Sequence, residues 1–202
     1  MDVTREQIEV VFAVLTGVGL SAACGFRIFL PLLALNLASI YGLVGLAPGF
    51  EWIGGRQVTI AFGLATALEI AAYYIPWLDN IMDSIASPVS VIAGTIVTAS
   101  LITDMPPSLK WTISIIAGGG IAGLLQGATV ALRAKSTVFT GGLGNFIVAS
   151  FELLASAIVA FISLILPIVA FILALLLVTY CLILGRRVYM RKKRGGKDQK
   201  TV

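Results

Sequence analysis

The chain contains no histidine, which removes imidazole metal sites, histidine-dependent triads and histidine proton relays from the chemistry open to it. It has two cysteines, Cys24 and Cys181, far apart and each inside an apolar run. Lone cysteines in such runs act as small hydrophobes, and a disulfide scaffold is excluded. Charge is also scarce: 12% of the 202 residues are charged, against about 25% in an average soluble domain. So few charges cannot solvate a soluble surface of this size. Nor is there a polar stretch long enough for a second folded unit, and residues 1–185 read as a single transmembrane domain. The N-terminal residues, mixed in charge, show no convincing signal-peptide cleavage site.

What is abundant is apolar sequence, 58% of the chain. A helical span needs about 20 mainly apolar residues, and six or seven segments approach that length: 8–24, 26–47, 58–76, 85–103, 111–132, 146–164 and 167–185. The expected fold class is therefore all-α, a polytopic helical membrane protein. The last two segments adjoin and would together measure about 60 Å as one helix, roughly twice the hydrocarbon thickness. The chain must turn back between them, at Ser163 and Pro167.

Charge is distributed unevenly. Eight of the 14 lysines and arginines lie in residues 186–202 beside one acid, Asp198, whereas the body holds six basic and nine acidic residues. A basic tail after an apolar segment marks the cytoplasmic side and rests on anionic lipid headgroups. No structured basic surface with aromatics accompanies it, so nucleic acid is not an expected partner. Counting back from a cytoplasmic C-terminus places Arg133 and Lys135 inside and residues 48–57 and 104–110 outside, with Trp52 and Trp111 near interfaces. The expected arrangement is a multi-pass membrane protein with its C-terminus on the cytoplasmic side. The glycines of 8–24 leave room for a re-entrant hairpin there.

Two halves, 8–103 and 111–185, share a loose pattern. The first has a glycine-rich run (Gly17, Gly19, Gly25), then Arg27, then Glu69; the second has Gly118–Gly120, Gly123 and Gly127, then Arg133, then Glu152. Such halves suggest an inverted repeat with broken helices, although the unequal spacings also fit chance recurrence of small residues.

Ionisable groups within spans cost about 2.5–3.5 kcal/mol each on insertion scales, which points to a partner or a wet cavity. Glu69 sits among alanines and leucines with no local cation. It reads either as a proton-holding site or as a structural acid paired with Arg27 or Arg133. Asp79 and Asp83, four apart on a helix started by Pro76, share a face. They read as a helix-start acid with a solvated neighbour, or, with Asn80, Glu69 and Glu152, as a proton or cation site. Arg27 and Arg133 follow glycine breaks and, with Asn145, are candidate contacts for an anion or headgroup; the other reading is snorkelling to the interface, the one favoured for Arg133 beside Lys135. The glycine- and hydroxyl-rich loop 136–145 lacks the lysine-serine ending of a phosphate-binding loop.

The run from Gly19 to Leu33, the block from Glu69 through Ile75-Pro-Trp-Leu-Asp-Asn-Ile-Met-Asp83 to Pro88, and the series Gly118, Arg133, Ser136, Gly144, Asn145, Glu152 together resemble the bacterial integral membrane proteins of the domain of unknown function family 4126. The resemblance covers about Gly17 to Pro167 and implies an embedded domain built around these polar positions. It implies no activity. This chain departs from the pattern with Tyr73 in place of an acid and Phe146 in place of a proline, which argues against a polar role at position 73.

The leading expectation is a small transporter or permease-like protein for a small solute or lipid headgroup, coupled to protons or cations. The alternative is a non-catalytic membrane scaffold or assembly factor, with homo-oligomers as one form. A magnesium-dependent enzyme acting on a lipid phosphate, using Asp79 and Asp83, is the weakest of the three. No cofactor is implied.

Overall fold

A computed structural model describes the backbone of residues 5–198; the side chains of residues 6, 76, 77, 79, 80, 188, 189 and 191–198 lie outside the described ones. The described fold is all-α, with seven helices. They are α1 (Arg5–Cys24), α2 (Phe29–Ile40), α3 (Arg56–Tyr73), α4 (Pro76–Leu101), α5 (Pro107–Thr140), α6 (Asn145–Ile165) and α7 (Pro167–Asp198). Five of them are long and apolar enough to cross a membrane: α1, α4, α5, α6 and α7. The chain is thus a multi-pass membrane protein.

The count of spans is lower than the apolar segments suggest because segment 26–47 yields only a 12-residue helix, about 18 Å long at 1.5 Å per residue. It begins late and stops early. Gly42 adopts a left-handed φ of 70°, and Leu43 N–H bonds the Ala38 carbonyl at 2.8 Å, a glycine-terminated helix end. Segment 58–76 becomes α3, whose 18 residues fall outside the five candidate spans. Residues 8–24 belong to the continuous helix α1, with no break at Gly17 or Gly19. Neither a re-entrant hairpin nor a repeat is shown among the described residues.

The turn between the last two apolar segments consists of Leu166 alone: its N–H closes α6 on Ile162 O at 2.7 Å, and its carbonyl accepts the Ala170 N–H of α7 at 3.0 Å. Proline at 167 starts the second helix because its missing N–H would be unpaired there in any case.

Two kinds of packing hold the bundle. Toward the end opposite the basic tail, α1, α4 and α5 meet through small residues. A methyl group at Gly94 would lie 2.8 Å from Gly118 O, and one at Gly17 would lie 2.9 Å from Thr98 Cα. The backbones touch there. A π-helical turn, Ser114–Gly119, lies within α5 and carries Gly118 and Gly119; one extra residue per turn shifts the register of the helix face locally. Ser21 Oγ donates to Gly94 O at 2.7 Å and lies 2.8 Å from Thr98 Oγ1, so hydroxyls add directional bonds to the seam. Gly25 ends α1 where it meets α5, since a methyl there would lie 2.6 Å from Leu125 Cβ.

The second kind of packing lies toward the basic-tail end, where the link from Gly25 to Ile28 passes through the protein interior: Arg27 is 1% exposed and Ile28 4%.

Candidate functional site

A helix break buried in this way leaves backbone N–H groups at the start of α2 without intrahelical partners. Glu69 of α3 supplies the acceptor. Its Oε1 takes the Ile28 N–H at 2.8 Å and its Oε2 the Phe29 N–H at 3.1 Å. The positive end of the α2 dipole thus faces a carboxylate. Glu69 also borders a shallow apolar groove of about 400 Å³ with Phe29, Leu68 and Met82.

One turn further along α3, Tyr73 is buried between two guanidinium groups. The Cζ of Arg27 lies 4.0 Å from its ring centroid and that of Arg133 3.9 Å. An aromatic ring presents a negative quadrupole on both faces, so a single tyrosine can separate and stabilise two cations that would otherwise repel. Position 73, which the family resemblance argued away, is therefore central to the cluster.

Among the described residues, two carboxylates hold Arg133, from α5. Its Nη1 donates to Asp83 Oδ1 of α4 at 2.6 Å, and its Nε donates to Glu152 Oε1 of α6 at 3.2 Å, with Nη2 bonding Glu152 Oε2. This is the planar, two-pronged pairing for which arginine is suited. Its exposure is 2%, so the side chain does not snorkel to an interface despite the nearby Lys135. Glu152 is shared: its Oε2 also lies 3.7 Å from Arg27 Nη2, a group that donates to Ala149 O at 2.8 Å. The Nε and Nη1 of Arg27 are buried and find no hydrogen-bond acceptor among the described residues.

Arg27, Glu69, Asp83, Arg133 and Glu152, each from a different segment of the chain, thus converge on one cluster with Tyr73. Two cations face three carboxylates, so with all five ionised the described cluster carries one excess negative charge. Glu69 pairs with backbone rather than with either arginine through a direct bond. Asp83 is already engaged by a guanidinium, which disfavours a divalent cation on the same oxygen. Asp79 and Asn80 lie in α4, but their side chains are outside the described ones, and no group of three metal-ligating residues occurs among the described residues.

Asn145 stands apart, at the start of α6, where its Nδ2 donates to Thr137 Oγ1 at 3.0 Å, one helical turn beyond Arg133. Sequence reasoning missed Asn36, fully buried in α2. Its amide donates to Ile53 O and to Gly55 O (3.2 Å) and its carbonyl accepts the Thr59 hydroxyl at 2.7 Å. An isolated asparagine in an otherwise apolar helix was the available signal. Ser156, which donates to Ala23 O at 3.0 Å near the end of α1, was missed as well, because serine is common in spans.

Residues 14–187 match the family described as a domain of unknown function, DUF4126. The chain belongs to this family. The matched region takes in every member of the cluster. No curated protein and no solved structure matches the chain.

Proposed function

We propose that this DUF4126 protein is a small proton-coupled transporter for an anionic solute, seen with its gate closed. The observation that carries the reading is Glu152. One carboxylate lies against both buried arginines, so loss of its charge would weaken the hold on both at once, with Asp83 still engaging Arg133, and favour an incoming anion. Buried ion pairs are rarely retained for stability, since apolar residues of similar volume often do as well. Ionisable groups at membrane depth are functional by default expectation. The excess negative charge gives one proton a place in the cycle, and the two N–H groups of Arg27 without acceptors give an anion a first contact. Around Glu152 the described ionisable groups are Arg27, Arg133, Asp83, Glu69 and Tyr73; a proton there removes one attraction from each arginine.

Each half of the chain contributes one arginine and one glutamate to the cluster, which supports the two-fold repeat suggested by the sequence. The eight cations of residues 186–202 support a cytoplasmic C-terminus in a bacterial inner membrane, with the cluster nearer that face.

The test is uptake of radiolabelled inorganic phosphate, acetate and succinate into proteoliposomes under an imposed pH gradient. The expected result is gradient-dependent uptake of at least one of them, abolished by Arg27→Gln and uncoupled from the gradient by Glu152→Gln. Uptake unaltered by both substitutions would remove the cluster from transport. A second reading, a non-catalytic scaffold, is favoured by the fact that Asp83, Glu152 and Glu69 all have partners; it predicts no uptake of any probe by folded protein.

A further inference from the structure

Between α5 and α7, toward the basic-tail end, runs a groove of about 510 Å³, within the size range of small-molecule sites. Its α5 wall is a single stripe of the helix, including Leu124, Gly127, Ala131 and Lys135, and its α7 wall includes Leu182 and Arg186. The two turns on either side of α6 reverse the chain twice, so α5 and α7 run in the same direction and both cations belong to the same end of the groove.

The gap has a specific origin. Glycines in membrane helices ordinarily admit a neighbouring backbone, as Gly94 and Gly118 do here, but a methyl group at Gly127 would meet nothing within 4 Å, nor would one at Gly185, also in the groove wall. These glycines leave space open instead of closing it. Lys135 and Arg186 are exposed, and neither forms an ion pair among the described residues.

We propose that this groove binds an anionic phospholipid, with an acyl chain along the glycine and alanine stripe and the phosphate between Lys135 and Arg186. Apolar walls with a cationic rim at one membrane face are complementary to such a lipid at both ends. A second copy of the chain is a poorer occupant, because side-by-side copies of the same orientation would bring two tails of eight cations each together.

Native mass spectrometry of the full chain in nonionic detergent tests this with phosphatidylglycerol and phosphatidylcholine of identical acyl chains. Phosphatidylglycerol should be retained in preference. Lys135→Gln with Arg186→Gln should weaken its retention by about 30-fold, from two headgroup contacts. Gly127→Leu and Ala131→Phe fill the groove while keeping every charge, and each should also displace the lipid. Both positions are exposed, a side chain at Gly127 would meet nothing within 4 Å, and glycine to leucine improves helix propensity. Equal retention of the two lipids would overturn the proposal. So would phosphatidylglycerol held at wild-type strength by the groove-filling variants, which would assign it to the tail, or a dimer mass in place of the lipid adduct.

Discussion

The two ends of the bundle are held together by opposite means. Away from the basic tail, Gly17, Ser21, Gly94, Thr98 and Gly118 bring three helices into backbone contact, and the polar atoms involved are hydroxyls and carbonyls that satisfy each other locally. Toward the tail, Arg27, Tyr73, Asp83, Arg133 and Glu152 come from five different elements and hold through charge. The first arrangement has one geometry, because any displacement opens a void or drives atoms into overlap. The second has exchangeable partners: a guanidinium that loses one carboxylate can take another anion. A membrane protein that moves at one end and stays fixed at the other would be built in this way.

The largest effect expected in breaking this comparison is at Arg133. Arg133→Ala leaves Asp83 and Glu152 buried without their common partner and should destabilise the protein by about 3–5 kcal/mol, read by unfolding in mixed micelles. A loss under about 1 kcal/mol would mean that water already reaches the pair. Next comes the seam, where Gly94→Ala would place a methyl 2.8 Å from the Gly118 carbonyl and should cost about 1–3 kcal/mol by overpacking. Unlike the charge variants, it should show no dependence on salt or added anion. Tyr73→Leu should cost about 1–2 kcal/mol from two lost cation–π contacts, whereas Tyr73→Phe, which keeps the ring, should retain most of that stability. The smallest effect belongs to the exposed surface: Phe139 is 85% exposed, and Phe139→Leu should change stability by less than about 0.5 kcal/mol.

The sequence revealed the charged end more readily than the small-residue seam. An arginine or glutamate among leucines stands out against its surroundings, so Arg27, Glu69, Asp83, Arg133 and Glu152 could be named without coordinates. Their pairing could not, because it depends on which helices adjoin. Glu69 reads from the sequence either as a proton-holding site or as an acid paired with an arginine; its carboxylate caps α2, a role that exists only once the chain breaks at Gly25 and turns inside the protein. A polar role at Tyr73 is argued against from the sequence because the residue stands in place of an acid in the family pattern, and nothing local shows that both its faces meet cations. The number of spans was overestimated for a related reason. Hydropathy sees composition but not the Gly42 turn that cuts α2 to 12 residues. The turn at Pro167, by contrast, was readable, since a 40-residue apolar stretch exceeds the bilayer and proline offers the one break.

The direct test of an openable charged end and a fixed small-residue end is labelling with a membrane-impermeant maleimide in a chain whose Cys24 and Cys181 are replaced by alanine. Single cysteines are introduced at Ala149, beside Arg27, and at Ala99, in the opposite half of α4; they are 1% and 0% exposed. Both should be protected while Glu152 is present. With Glu152→Gln, the Ala149→Cys site should become reactive while Ala99→Cys remains protected. Protection of both sites in the folded variant, or equal exposure of both, would contradict the account.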